Sequence, residues 1–327
     1  MTLLLTCVTQ QFSVQASDRR LTWPNGTVAE ELANKATLLC NFASFAYTGL
    51  SRASRTEPMD ELVMRSLSLE KARVPALVEN LRRNATHAVR QLPLPGTTTE
   101  KLALRRTSIV GAGFVGMHNP QALRLEPTED ELHPFLAVVS NAQGIDEVWR
   151  PAADKDFSTH IAYLEPNQPF SLHVAGQPLG DRERVELEHG IRVCLARNLL
   201  PEAVARLLAR MIRTVSARNA LVGPNVMCSF VHRSLVGRST IELRSGAIPI
   251  IAGLREEASY FRRVGGREPR WIYSPADAAS LVHYGPNVAC NGTQMKGMLI
   301  GPSHLVSGPG AGSPGGATTR VGPHGNG

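Results

Sequence analysis

Thr2 is the residue of this sequence best suited to chemistry by itself, because it directly follows Met1. Cells generally remove an initiator methionine when the next side chain is small, so we expect Thr2 to become the mature N-terminus. An N-terminal threonine joins a nucleophilic hydroxyl to an α-amine with a pKa of about 7.7–8.0, which can accept the hydroxyl proton at neutral pH. This combination predicts nucleophilic attack on an amide carbonyl. Many proteins begin with Met-Thr, so the prediction depends on the residues that follow.

Three short segments after Thr2 strengthen the prediction that Thr2 is a nucleophile. They are Ser17-Asp18-Arg19-Arg20, Asn34-Lys35 and Ala46-Tyr47-Thr48-Gly49. Their residue types and spacings resemble the β subunits of proteasomes and their bacterial relatives, which are N-terminal-nucleophile (Ntn) hydrolases. Lys35 falls one position later than is usual, which a one-residue insertion in the turn at 24–32 explains. The resemblance covers residues 2–50 well and 201–232 acceptably, and between them it rests on the order of elements.

The resemblance assigns a task to each of these residues. Lys35 is expected to be a buried ammonium that favours the Thr2 alkoxide and keeps the α-amine unprotonated by charge repulsion. Asp18 is expected to keep Lys35 charged and in place. The backbone N–H of Gly49 is the expected oxyanion donor, since a glycine lets the substrate carbonyl approach closely.

The supporting residues depart further from the family pattern. Proteasome β subunits carry a segment of the form R-D-x-x-S-G whose aspartate and serine bond the threonine amine, and residues 218–223 place Asn219 and Val222 there. Asn219 can accept a hydrogen bond but has no charge, and Val222 has no polar atom. Ala175 stands at the nearest match to another supporting serine. By the same resemblance, the residues expected to support the site are Ser17, Arg20, Asn219 and Gly223.

The resemblance also implies a fold and a function. The fold is α+β, a four-layer αββα sandwich of two antiparallel sheets flanked by helices. The function is hydrolysis of a peptide or other amide through a Thr2 acyl-enzyme, with no cofactor or metal, in a homo-oligomeric ring or stack by analogy. Asn219 and Val222 favour reduced or redirected hydrolysis over proteasome-like proteolysis. They also keep a second interpretation open, a catalytically inactive subunit that acts in assembly or binding.

A third interpretation comes from residues 111–116, which match the dinucleotide-binding pattern G-x-G-x-x-G. That function requires a helix directly after the glycines, because the pyrophosphate binds at its N-terminus. Pro120 and Pro127 would interrupt such a helix. We therefore predict a glycine-rich strand in which side chains must be small. A helix beginning at Gly116 would revive nucleotide binding.

Composition excludes several other classes of function. The chain has 327 residues, 43% of them hydrophobic and 19% charged, which is ordinary for a globular protein. Its net charge of +7 is spread thinly. Arg206, Arg210 and Arg213 line one helix face without interleaved aromatics, so a solvated face is expected rather than a nucleic-acid site. No apolar run reaches the roughly 18 residues of a membrane span. The first residues lack the basic region and length of a signal peptide, which predicts a cytoplasmic protein.

Cysteine and histidine spacing indicates no metal site and no disulfide framework. The five cysteines are widely spread without a C-x-x-C pair. The ten histidines show no H-x-x-x-H spacing. Buried free thiols are the expectation.

The elements that must position Thr2 follow from periodicity and turn signals. Residues 3–8 and 12–17 predict a hairpin around Thr9-Gln10-Gln11, with alternation in the second strand that buries one face. Further strands are predicted within 36–47 (two, around Asn41) and at 107–115, 134–139, 160–164, 170–174, 225–231, 240–243, 248–251 and 270–273. Helices are predicted within 58–92 (two, broken at Pro75), near Asp181 and over 201–218. This order predicts a layered α+β domain rather than a βαβ array.

The domain boundary is set by composition. Residues 1–302 form the predicted Ntn-like domain, within which 256–298 receive no assignment. Residues 303–327 are rich in glycine, proline and serine and have almost nothing to bury, so they form a predicted disordered tail.

Overall fold

The computed structural model of the protein describes residues 2–23, 26–31, 33–39, 42–54, 57–68, 73–93, 105–116, 132–142, 153–199, 201–233, 258–262, 270–271, 287–290 and 293–295. The strands predicted at 240–243 and 248–251 and the tail 303–327 lie outside these residues. In chain order, the described elements are β1 (Leu3–Thr9), β2 (Phe12–Asp18), β3 (Leu21–Thr22), β4 (Val28–Glu30), β5 (Ala36–Leu39), β6 (Ala43–Thr48), α1 (Met59–Leu67), α2 (Val74–Gln91), β7 (Ser108–Gly116), β8 (Leu132–Ala142), β9 (Ala153–Tyr163), β10 (Phe170–Gly176), α3 (Asp181–Ala196), α4 (Pro201–Arg218), β11 (Val226–His232), β12 (Ala258–Arg262), β13 (Arg270–Trp271), β14 (Asn287–Cys290) and β15 (Thr293–Met295).

The protein is a mixed α+β structure built on two large sheets. The first has the strand order β10-β1-β2-β11-β12-β13, and all its neighbours are antiparallel. The second has the order β15-β14-β5-β6-β7-β8-β9 and is antiparallel except where β14 runs parallel to β5. β3 and β4 form a separate two-stranded ribbon. The N-terminal hairpin thus lies within the first sheet, paired with β10 on one side and β11 on the other.

Three apolar clusters hold these elements together. One lies between the first sheet and the helices α3 and α4, and includes Leu5, Val14, Leu208 and Ile212. A second lies between the other sheet and the helices α1 and α2. The third joins strands of both sheets and includes Leu4, Val110 and Met227. Burial of apolar surface in such clusters is the main favourable term in folding.

The predicted helices are confirmed, and their ends have local causes. α4 begins at Pro201 and ends at Arg218, as predicted. Pro75 does not break a helix; it lies in the first turn of α2, where its missing N–H is tolerated. The backbone N–H of Gly180 donates to Glu183 Oε2 at 2.8 Å and caps the start of α3. Of the helices described, none is both long and apolar enough to cross a membrane.

The predicted hairpin is confirmed, but its burial was only half predicted. β2 alternates apolar and polar residues, which predicts one buried face, yet every residue of β2 is buried. The polar face lies toward the second sheet, and Gln15 Nε2 donates to the Val110 carbonyl across that space at 2.9 Å. A hydrogen-bond partner on the facing sheet is what allows a polar side chain to be buried there.

Residues 111–116 lie in a strand, as predicted. β7 runs through all three glycines to Gly116, so no helix begins there. A side chain at Gly111 would place its Cβ 2.3 Å from the Phe45 ring, and one at Gly113 would place it 2.0 Å from the Phe42 carbonyl oxygen. These glycines are explained by close strand packing, not by a phosphate-binding turn.

Candidate functional site

Thr2 directly precedes β1 and is only 3% exposed. Its carbonyl oxygen accepts two hydrogen bonds, one from the backbone N–H of Gln177 at 3.0 Å and one from Thr48 Oγ1 at 3.2 Å. Leu3 pairs with Gly176 in the adjacent strand β10. The backbone of Thr2 is therefore fixed by two different sheets.

The Lys35 side chain reaches Thr2 from the other sheet. Lys35 directly precedes β5 and its side chain is fully buried. Its Nζ donates to Thr2 Oγ1 at 2.7 Å, to the Arg20 carbonyl at 2.6 Å and to Asp18 Oδ1 at 3.3 Å. An ammonium has three N–H donors, and here each has an oxygen acceptor. This geometry suits the charged form of Lys35.

Asp18 ends β2 and is the only acidic residue described that contacts Lys35 Nζ. Its carboxylate also accepts three backbone N–H groups: Oδ2 accepts from Leu3 at 2.7 Å, and Oδ1 accepts from Arg20 at 2.9 Å and Gly223 at 3.3 Å. Backbone donors stabilise a carboxylate even without a cation. Asp18 therefore joins the start of β1, the end of β2 and the loop after α4 at one point.

Burial and pairing act in opposite directions on Lys35. Burial lowers the pKa of Lys35 below its ordinary value, because a charged amine loses its hydration, and the nearby Asp18 carboxylate partly opposes that shift. The net direction is downward. An ammonium with a lowered pKa is a stronger acid than usual, which suits a group that donates to the hydroxyl of a nucleophile.

Gly49 follows β6 and has a backbone that only glycine adopts readily. Its φ is +103°. A Cβ at this position would lie 2.0 Å from the Arg106 carbonyl oxygen. The preceding residue, Thr48, donates its hydroxyl to the Thr2 carbonyl, so Gly49 follows directly after a residue that contacts Thr2.

Three of the four predicted supporting residues adjoin Asp18: Arg20 and Gly223 donate backbone N–H groups to it, and Ser17 precedes it in β2. Arg20 Nε donates to Glu31 Oε1 at 3.0 Å, and Arg20 Nη1 donates to the Val222 carbonyl at 3.4 Å. A Cβ at Gly223 would lie 2.6 Å from Arg20 Cβ, so a glycine lets the two segments approach. Ser17 is buried in β2, and as the neighbour of Asp18 in a strand it points to the opposite face.

Asn219 and Val222 do not contact the Thr2 side chain. Asn219 Oδ1 accepts from the Leu221 backbone N–H, and its Nδ2 donates to Gln177 Oε1, both at 3.0 Å. Val222 is fully buried in the apolar cluster beneath the first sheet. Asn219 thus connects to Thr2 through Gln177 rather than directly. Ala175 is buried in the cluster between the two sheets.

Sequence reasoning missed three residues that hold Thr2: Thr48, Gly176 and Gln177. Gly176 has a φ of +89°, and a Cβ there would lie 1.8 Å from the Thr2 carbonyl oxygen. The available signal was the Gly-Gln-Pro run at the end of a predicted strand, which marks a turn. Which residue that turn would contact was not visible in the sequence.

The chain matches no known protein-family profile and no curated protein. Among the residues that the structure describes, no group of three or more histidine, cysteine, aspartate and glutamate side chains is placed to hold a metal ion.

Proposed function

We propose that this protein is an Ntn amide or peptide hydrolase whose nucleophile is Thr2, once Thr2 is the N-terminal residue. The observation that supports this most is the 2.7 Å hydrogen bond from Lys35 Nζ to Thr2 Oγ1 between two buried side chains. Placing an ammonium at full burial is costly and does not by itself stabilise a fold. A positive charge held against a hydroxyl stabilises the alkoxide, which is the nucleophilic form.

The packing of the elements supports the finer fold assignment. Helices α3 and α4 cover the first sheet, the two sheets face each other, and α1 and α2 cover the second sheet. That order corresponds to the four-layer αββα sandwich of Ntn hydrolases. A bacterial proteasome-related origin and a homo-oligomeric ring or stack are carried over from the same resemblance. The cytoplasmic location remains a prediction from the lack of a signal-peptide pattern in the sequence.

The proposed reaction has two stages. The Thr2 α-amine accepts the proton of its own hydroxyl as Oγ1 attacks the substrate carbonyl, and the Gly49 backbone N–H stabilises the resulting oxyanion. The amine then passes that proton to the leaving amine as the C–N bond breaks, which leaves an acyl ester on Thr2. Water then attacks the ester carbonyl while the same amine takes its proton. The acyl C–Oγ1 bond breaks and the amine returns that proton to Oγ1, which releases a carboxylic acid and restores the Thr2 hydroxyl.

Lys35 and Asp18 prepare Thr2 for this reaction. The Lys35 ammonium stabilises negative charge on Thr2 Oγ1 and disfavours a second positive charge on the neighbouring amine. Asp18 keeps that ammonium in place and fixes the Leu3 backbone next to the nucleophile through its 2.7 Å hydrogen bond.

One observation favours a second candidate function. The Asn219 side-chain amide bonds the Leu221 N–H and Gln177 Oε1, and the Val222 side chain has no polar atom, so neither side chain bonds the Thr2 amine. A chain of this fold with a poorly oriented amine would serve as a non-catalytic subunit in assembly or binding. Its Thr2 would then fail to react even when it is N-terminal.

Intact mass spectrometry with a peptide epoxyketone separates these functions. The Thr2 hydroxyl adds to the ketone and the Thr2 amine opens the epoxide, so the adduct retains the full mass of the probe. We expect a chain that begins at Thr2 to gain one such adduct, and Thr2→Ala to gain none. Thr9→Val, at the other end of β1, is the matched control and should still react. A free Thr2 that stays unlabelled would refute the hydrolase and favour the non-catalytic subunit.

A further inference from the structure

Gln177 has a buried side-chain donor that no described residue of the protein accepts from. The residue is 4% exposed, and its backbone N–H donates to the Thr2 carbonyl at 3.0 Å. Its Nε2 makes no hydrogen bond to any group in the described part of the chain. Buried polar groups are nearly always paired, and an exception beside a nucleophile calls for a functional explanation.

The hydrogen-bond network fixes which end of the Gln177 amide is free. The Leu221 backbone N–H can only donate, so the atom of Asn219 that receives it at 3.0 Å must be Oδ1. The other end of Asn219 is then Nδ2, a donor, and the atom of Gln177 that receives it at 3.0 Å must be Oε1. Gln177 is left presenting Nε2, which can only donate.

We infer that Gln177 Nε2 is a substrate-binding group, which donates a hydrogen bond to a carbonyl oxygen of the peptide or amide bound at Thr2. This inference rests on the proposed function. The ligand must supply an acceptor, because Nε2 has two N–H bonds and no lone pair to offer. For the same reason Gln177 Nε2 cannot accept a hydrogen bond from the Thr2 amine.

Gln177→Glu tests the inference by reversing the polarity of the site at nearly constant shape. One oxygen of the new carboxylate still accepts from Asn219, but the other is an acceptor that now faces the substrate carbonyl. With an N-acetyl-trileucyl epoxyketone as probe, we expect the half-saturating concentration KI to rise about tenfold, as for a lost hydrogen bond. The maximal labelling rate at its pH plateau should stay close to that of the wild type. Gln168→Glu, at a site remote from Thr2, should leave KI unchanged.

Asn219→Asp provides a second variant that leaves Gln177 itself intact. An ionised aspartate still accepts from Leu221 but has no donor for Gln177 Oε1. The Gln177 amide is then expected to turn, so that Nε2 donates to the aspartate and Oε1 faces the substrate. KI for the same probe should rise as it does for Gln177→Glu. Thermal melting of each variant shows whether it is folded.

The outcomes separate this inference from the proposed function. A wild-type chain that takes no label overturns both. A labelled wild type whose KI is unchanged in the two folded variants overturns the Gln177 assignment alone. Unchanged KI with a shifted pH profile of the maximal rate also overturns it, because the side chain would then act on the Thr2 amine.

Discussion

The two ends of the β1–β2 hairpin differ in where their hydrogen-bond partners come from. At the turn, Thr9 Oγ1 accepts from the backbone N–H groups of Gln11 and Phe12 at 3.2 and 2.9 Å and donates to the Phe12 carbonyl at 2.7 Å. Every partner lies within four residues. At the open end, the groups around Thr2 come from distant parts of the chain, such as the Gly223 N–H that donates to Asp18.

This difference separates a structural end from a reactive one. At the turn, the buried Thr9 hydroxyl is satisfied by residues of the turn itself, and residues 9–12 carry no charge. The open end buries an ion pair, Lys35 with Asp18, and packs the Thr2 carbonyl against Gly176, a glycine at positive φ. Buried charges stabilise a fold poorly and cluster where function requires them. Mutations at the two ends should therefore separate stability from reactivity.

The largest expected effect is that of Lys35→Met on labelling. Removal of the ammonium should slow epoxyketone adduct formation at Thr2 by about a thousandfold or more, comparable to the loss of a catalytic group elsewhere. The free energy of unfolding should also fall, by up to about 3–5 kcal/mol, because the buried Asp18 carboxylate loses its cation and keeps only its three backbone donors. Intact mass spectrometry over time measures the labelling rate, and urea unfolding measures the free energy of unfolding. A variant that loses stability but keeps its labelling rate would make Lys35 a structural residue.

The next largest effect is expected from Gly176→Ala. A Cβ at φ +89° and 1.8 Å from the Thr2 carbonyl must displace Thr2. A displacement of about 1 Å can slow a reaction by about a hundredfold, so labelling should fall to that extent. Gly180→Ala is the matched control, because its φ is −68° and its nearest contact would be 3.7 Å away. Equal labelling of the two variants would show that Gly176 does not position the nucleophile.

At the turn, Thr9→Val is expected to reduce stability and spare reactivity. The variant loses three hydrogen bonds of the turn, which should lower the free energy of unfolding by about 1–2 kcal/mol. Its rate of epoxyketone labelling should equal that of the wild type. Thr9→Ser retains the hydroxyl and should recover the stability. A large fall in labelling for Thr9→Val would mean that the two ends of the hairpin are coupled.

The smallest expected effect is a pH dependence at the open end. The pKa of Lys35 is lowered in the folded protein, so the unfolded chain binds more protons between that lowered value and the ordinary lysine value of about 10.4. The contribution of Lys35 to the free energy of unfolding therefore becomes more favourable as pH rises through that window. Urea unfolding across the window should show a steeper rise for the wild type than for Lys35→Met. Parallel curves would mean that Lys35 titrates as it does in water.

The fold was largely predictable, because its signals are local. The apolar periodicity and leading proline at Pro201 predicted α4 with both ends, and alternation in β2 predicted the hairpin. The second buried face of β2 was not predictable, since only a facing sheet makes burial of Gln15 favourable. The parallel pairing of β14 with β5 also had no signal in the sequence, because neither strand specifies its partner.

The sequence by itself determined the residue types that the site needs: a threonine next to Met1, an aspartate, a lysine and a glycine at family-like spacings. Tertiary structure alone decided that Lys35 Nζ meets Thr2 Oγ1, that Asp18 collects three backbone donors, and that Thr48 and Gln177 hold the Thr2 carbonyl. The physical reason is range. Strand, turn and helix signals act over a few residues, whereas the polarity and orientation of a buried group are set by whichever distant group the folded chain places beside it.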